Sequence, residues 1–285
     1  MRFTSILTIA LTFAGVIQSL PIETRGIGAL HGVVYTARKS DGQCQSAQEI
    51  DASVKTMKSK GINNIRTYSQ ECNQLPAILD AINSNGGGMT VLAAVWIDGT
   101  GNDDQEIATL KSVLNSKDTS AINGILVGNE VIFKGQMSSS ELAKKIKAVK
   151  SFSKGIKVGT AEMDTTYPPD LMAASDIAAV NIHPYFSQVD VKNALSNLND
   201  RFNNFKKLAH GVSEVFISET GWPSEGAPFG DAIPSVKNTQ IFAAALATSH
   251  LPYYFFEWQD SSWKEAGIES HFGLLNTFGR SKFAL

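Results

Sequence analysis

Cysteine is nearly absent: the 285 residues contain two, Cys44 and Cys72. Neither belongs to a Cys-x-x-Cys pair and no paired-His spacing accompanies them, which argues against a zinc site. Basic residues are in no excess, with 25 Lys and Arg against 27 Asp and Glu and a net charge of −2. Without a clustered basic surplus no nucleic-acid partner is expected. No Gly-x-Gly-x-x-Gly follows the first apolar run and no Gly-Lys-Ser/Thr loop occurs, which argues against dinucleotide and P-loop binding. No cofactor and no metal are expected. Long hydrophobic runs are missing except over residues 6–17, a stretch too short to span a bilayer, which takes about 20 residues.

That one apolar run follows Arg2, and Ile17-Gln18-Ser19 offers a small residue at a cut. Residues 1–19 therefore read as a secretory signal, with 20–25 as a short propeptide or N-terminal extension. Asn-x-Ser/Thr is absent, so no N-glycan is expected. No apolar tail follows Phe283, so no lipid-anchor signal of the usual type is expected. In a secreted chain Cys44 and Cys72 are better read as a disulfide than as two free thiols.

What is present is alternation. Apolar, β-rich runs occur at 27–35, 62–68, 89–97, 122–127, 156–161, 177–182, 214–218 and 253–257. Helical periodicity follows from near Ser46, then over 75–83, 103–114, from Ser138, and over 169–174, 190–210 and 236–249. Ser138-Ser139-Ser140-Glu141 resembles a capping box, and Asp103 and Asp104 suit a helix N-terminus. After the eighth run the pattern weakens. Strand and helix in turn predict a parallel sheet. Eight units in one unbroken stretch, 26–285, predict an α/β fold of one domain, a closed (β/α)8 TIM barrel, whose usual size is about 250 residues.

In such a barrel every strand's C-terminal end faces one mouth, where the chemistry sits. Those ends carry Tyr35, Arg66, Tyr68, Trp96, Asp98, Asn129, Glu130, Glu162, Asp164, His183, Tyr185, Glu219, Trp222, Glu257 and Trp258. Carboxylates among flat rings suit a sugar: rings stack on pyranose C–H faces, and a pair of carboxylates can cleave a glycosidic bond. The pair must straddle that bond, so it should come from opposite strands. Glu130 ends the fourth run and Glu219 the seventh. Asn129 can hydrogen-bond a sugar 2-hydroxyl.

The segments VGNE (127–130), NIHPYF (181–186), ISETGWP (217–223) and FEWQDSSWK (256–264) together resemble glycoside hydrolase family 17, in its fungal secreted or cell-wall β-1,3-glucanase and glucanosyltransferase branch. The resemblance runs from about Gly26 to the C-terminus. It implies a (β/α)8 barrel, retaining chemistry on β-1,3-glucan without a cofactor, and a place outside the cell or in the cell wall. By position it implies Glu130 as general acid/base and Glu219 as nucleophile. Asn129 would contact the 2-hydroxyl, Tyr185 would hold the nucleophile or a nearby sugar, and Trp222, Glu257 and Lys264 would line the groove. Cys44 and Cys72 fall where this branch carries a cysteine pair. Where the branch often has Glu-x-Phe-Asp-x-x-Trp-Lys, this chain has Glu257-Trp258-Gln259-Asp260-Ser261-Ser262-Trp263-Lys264: the ends match, and the departure falls at Trp258-Gln259.

The expected substrate-binding set is thus Asn129, Tyr35, Arg66, Tyr68, His183, Tyr185, Trp222, Glu257 and Lys264. Plainer roles stand beside it. Arg66 reads as an ion-pair partner inside the barrel, and His183 as a hydrogen-bonded structural residue. Glu162 and Asp164 read as solvated or loop-capping, Trp263 as packing or a ligand in equal measure, and Trp96 as packing or a sugar platform. Glu130 is expected protonated and Glu219 ionised at rest, since close carboxylates resist sharing charge. The reading is an endo-acting β-1,3-glucanase with scope for glucanosyl transfer, acting as a monomer. The alternative is a wall protein that binds glucan without cleaving it.

Overall fold

The computed structural model describes residues 26–285; the expected signal 1–19 and extension 20–25 lie outside them. Eight parallel strands close a barrel in chain order, with β1 pairing β8. They are β1 (Val33–Val34), β2 (Asn64–Arg66), β3 (Thr90–Val95), β4 (Ile122–Asn129), β5 (Val158–Met163), β6 (Ile177–Asn181), β7 (Glu214–Thr220) and β8 (Tyr253–Phe255). Between them lie α1 (Ala47–Ser59), α2 (Gln74–Ser84), α3 (Asn102–Ser116), α4 (Ser139–Lys150), α5 (Pro169–Ala174), α6 (Ala194–Leu208) and α7 (Val236–Ala247). The single-barrel expectation holds. No described helix is long and apolar enough to cross a membrane.

Local chemistry accounts for the helix starts. Ser46 with Glu49, and Ser138 with Glu141, each form a reciprocal capping box, which satisfies N–H groups the first turn cannot. Two elements differ from expectation. The first strand shrinks to two residues because Gly28 turns left-handed (φ 90°) and Ile27 N–H donates to Ala284 O instead of a ladder. The long sixth helix splits into a 3₁₀ turn, Val191–Asn193, and α6. After β8, where the sequence pattern weakens, the one helical element among the described residues is a 3₁₀ turn, Ile268–Ser270.

Side chains alternate across the wall. Leu92, Ala94, Leu126, Ala161, Ile177 and Ala179 fill the barrel interior, while Val91, Ala93, Val95 and Ile125 pack outward against the helices. Simple alternation fails at two strands. Leu126 pairs with Gly159 but Asn129 with Ala161, so β4 carries one extra residue. Val180 pairs with Ile217 but Asn181 with Glu219, so β7 does as well. An extra residue reverses which side chains face inward. These two bulges bring Asn129 and Glu219 into the mouth.

Candidate active site

A cleft of ≈ 510 Å³ occupies the mouth, lined by Thr36, Tyr68, Trp96, Asn129, Glu130, Glu219 and Lys264 among others. Glu219 comes from the bulged end of β7. Two residues on, Gly221 has no room for a side chain, since a Cβ there would lie 2.1 Å from Phe256 O; the end of β7 thus presses against β8. Glu130 follows β4 in a left-handed conformation (φ 58°). Before it, Gly128 (φ 80°) forms the β4 bulge where a Cβ would meet Val131 at 2.5 Å.

Arg66, wholly buried, organises the floor. Its Nη1 donates to Glu219 Oε1 at 2.6 Å and its Nη2 to Asn129 Oδ1 at 2.7 Å. Asn181 Nδ2 donates to Asn129 Oδ1 (3.0 Å) and Glu130 Oε1 (2.9 Å), and Ser218 Oγ donates to Asn181 Oδ1. One polar chain therefore joins the two glutamates from beneath. His183 Nε2 lies 3.5 Å from Glu219 Oε2, and Lys134 Nζ lies 3.5 Å from Glu130 Oε2.

The electrostatics differ at the two carboxylates. Burial by itself would raise the Glu219 pKa, but the Arg66 guanidinium and the His183 ring outweigh it and hold the carboxyl well below the usual range. Glu219 is an anion at any working pH, as expected. Tyr68 has its phenol pushed well above the ordinary value by burial, so it remains a neutral hydroxyl. Burial also raises Glu257, against the pull of Lys264, whose Nζ donates to Glu257 Oε1 at 2.7 Å.

Of the expected site residues, Glu130, Glu219, Asn129, Tyr68 and Lys264 line the cleft. Several others do not. Tyr35 faces the helix layer, one step out of phase with Thr36, and its hydroxyl donates to Gln45 Oε1. Tyr185 is 1% exposed and donates to Ala227 O, so it does not hold the nucleophile; His183 is the ring beside Glu219. Trp222 is fully buried, its Nε1 donating to Ile233 O and its ring edge-on to Tyr185. Both aromatics brace the loop after β7. Arg66 and Glu257 act behind the surface, through Glu219 and Lys264. Glu162 is buried rather than solvated and accepts the N–H groups of Ile132 and Phe133, so of its two plainer readings the loop-capping one fits.

Sequence reasoning passed over Asn181, although it opens the NIHPYF segment, and Lys134, which stands four residues after Glu130. Arg38 and Glu71 also line the cleft and pair with each other at 2.5 Å. The loops that carry them are joined by the Cys44–Cys72 disulfide. Trp263, for which packing and a ligand role are equally open in the sequence, is 42% exposed and lines the same cleft, as does Trp96.

Comparison with known proteins agrees with this fold. Residues 32–273 match the model of the BtgE/BtgC glycoside hydrolase domain. The chain is 30% identical over 268 residues to a probable β-glucosidase btgE of Neosartorya fischeri, covering 90% of this chain and 48% of that protein. It is 27% identical over 258 residues to the probable family 17 glucosidase SCW10 of Saccharomyces cerevisiae, covering 86% and 64%. The chain thus spans about half to two thirds of the length of the curated relatives it matches. Among solved structures it is similar to a glycoside hydrolase family 17 β-1,3-glucanosyltransferase from Rhizomucor miehei, with TM-score 0.81 and 28% identity, covering 89% of this chain and 95% of that one. An active-site mutant of that enzyme was solved with laminaritriose. An endo-laminarinase from Formosa shares the fold at TM-score 0.74 and 18% identity, covering 90% of this chain and 86% of that one.

Proposed function

Because the chain belongs to the BtgE/BtgC glycoside hydrolase family, with family 17 relatives, we propose that it cleaves β-1,3-glucan with retention of configuration. The single observation behind this reading is the buried hydrogen-bonded chain Glu219–Arg66–Asn129–Asn181–Glu130 under an open cleft. Two carboxylates are held in different environments, one forced to remain an anion and one reachable by solvent. That asymmetry is what double displacement requires.

In the first step a Glu219 oxygen attacks the anomeric carbon and the glycosidic C–O bond breaks. Glu130 gives its proton to the departing oxygen, leaving a glycosyl ester on Glu219. Asn129, fixed by Arg66 and Asn181, is placed to bond the 2-hydroxyl, a contact that strengthens as positive charge develops on the ring. In the second step Glu130 takes a proton from water or from a sugar hydroxyl, whose oxygen displaces Glu219. Water yields hydrolysis, and a sugar hydroxyl yields glucanosyl transfer. Trp96, Trp263 and Tyr68 offer ring surface to a chain lying in the cleft. The similarity to a glucanosyltransferase and the glucan-binding reading both favour the cell wall as the place of action.

The test is incubation with defined laminari-oligosaccharides. Products longer than the substrate mark transfer, and shorter ones alone mark hydrolysis. No products, with retained binding, would leave a glucan-binding protein. Glu219→Gln should fold yet lose turnover by orders of magnitude, and unchanged turnover would remove Glu219 as nucleophile.

A further inference from the structure

One buried ionisable side chain next to this site is not used by the mechanism. Glu162 lies at the end of β5, fully buried and directed outward from the barrel interior filled by Ala161. Its Oε1 accepts Ile132 N–H at 3.0 Å and its Oε2 accepts Phe133 N–H at 3.3 Å. Those donors open the turn that begins at Glu130, closed by Lys134 N–H on Glu130 O and Gln136 N–H on Val131 O. The backbone of Glu130 itself is pinned from the same place, its N–H donating to Ala161 O at 2.8 Å.

Adjacent residues of β5 thus grip the acid/base residue and the turn that follows it. Glu130 needs that grip because its left-handed backbone is costly for a residue with a side chain, by about 1 kcal/mol or more.

We infer that Glu162 is a positioning residue for Glu130: its carboxyl group, seated on the N–H groups of Ile132 and Phe133, holds the turn that aims Glu130 at the glycosidic oxygen. The inference rests on Glu130 being the acid/base. Burial pushes the Glu162 carboxyl up to about 7, with the turn's N–H groups working against the rise and Glu130 adding to it. The titratable groups facing it are Glu130 and Tyr167 from the segment after β5, whose hydroxyl donates to Thr160 O.

The experiment compares two substrates in the full chain. Laminari-oligosaccharides have a poor leaving group that must be protonated. A 2,4-dinitrophenyl β-laminaribioside has one that leaves unaided, and its kcat/KM reports formation of the glycosyl ester alone. Glu162→Ala should lose roughly 10²-fold in kcat on the oligosaccharide, the scale of a misaligned acid, with kcat/KM on the aryl glycoside little changed. Glu162→Gln, which keeps an acceptor, should recover most of the loss.

Glu130→Gln, measured alongside, must show the same selectivity, or the acid/base assignment itself falls. Selectivity in Glu130→Gln without selectivity in Glu162→Ala, whether both substrates suffer equally or neither does, overturns the inference about Glu162 alone. Should Glu162→Ala not fold by circular dichroism, Glu162→Met fills the space without an acceptor and takes its place with the same expected pattern.

Discussion

Arg66 and Glu219 form an ion pair at 2.6 Å in which the guanidinium is wholly buried and the carboxylate nearly so. They are separated by 153 positions in the chain. A pair so dry is expensive to break from one side, by about 3–5 kcal/mol, so its arrangement is imposed by the whole barrel. The same guanidinium also holds Asn129, and no single-pronged cation reaches both.

Arg66→Lys should therefore misplace Asn129 and relax the hold on Glu219. Arg66 lowers the Glu219 carboxyl, so weakening it lets burial raise that carboxyl. Glu219 must be ionised to attack, and the acidic limb of kcat/KM should move to higher pH. An acidic limb identical to that of the wild type would contradict the assigned role.

Tyr185 and Trp96 separate stability from binding. Tyr185 is buried away from the cleft and donates to Ala227 O. Tyr185→Phe should cost about 1 kcal/mol of stability and leave KM for laminari-oligosaccharides unchanged. Trp96 lines the cleft, so Trp96→Ala should raise KM. A raised KM for Tyr185→Phe would return that residue to the binding surface.

The Cys44–Cys72 bridge closes a loop of sequence separation 28, for which chain-entropy reasoning gives about 3–4 kcal/mol. The double replacement with Ser should lower Tm accordingly. Because the bridge joins the loops that carry Arg38 and Glu71 at the cleft, product chain lengths should shift as well. An unchanged Tm would show that the bridge constrains little.

Glu162 should also make stability depend on pH. Its carboxyl has a pKa of about 7 in the folded state against 4.5 unfolded. Between those values the folded protein binds the extra proton, so stability falls as pH rises from 4.5 towards 7. Below 4.5 this contribution is fully present, and above 7 it is gone. Glu162→Gln should flatten that part of the Tm–pH curve relative to wild type. A difference curve without slope there would place the ionisation elsewhere.

Much of the architecture is local and hence visible in the residues. Ser46 with Glu49 and Ser138 with Glu141 start helices by bonding their own backbone. The apolar runs 124–127 and 177–182 are buried on both faces, as parallel strands require. Glu130 and Glu219 stand at strand ends, and strand ends point to one mouth in any such barrel.

What the sequence by itself determined was therefore the order of elements, their closure into a barrel and the two carboxylates at its mouth. Each follows from short-range periodicity and turn chemistry. The tertiary structure alone decided which side chains reach the cleft. The bulges in β4 and β7 reverse alternation by one residue, and beyond a strand's end no period operates, so Tyr35, Tyr185 and Trp222 turn away while Trp263 turns in. Asn181, Arg66 and Glu162 gained their roles from partners distant in the chain or across a strand pair. Such partners meet only when the barrel closes, because closure brings together groups that no local rule relates.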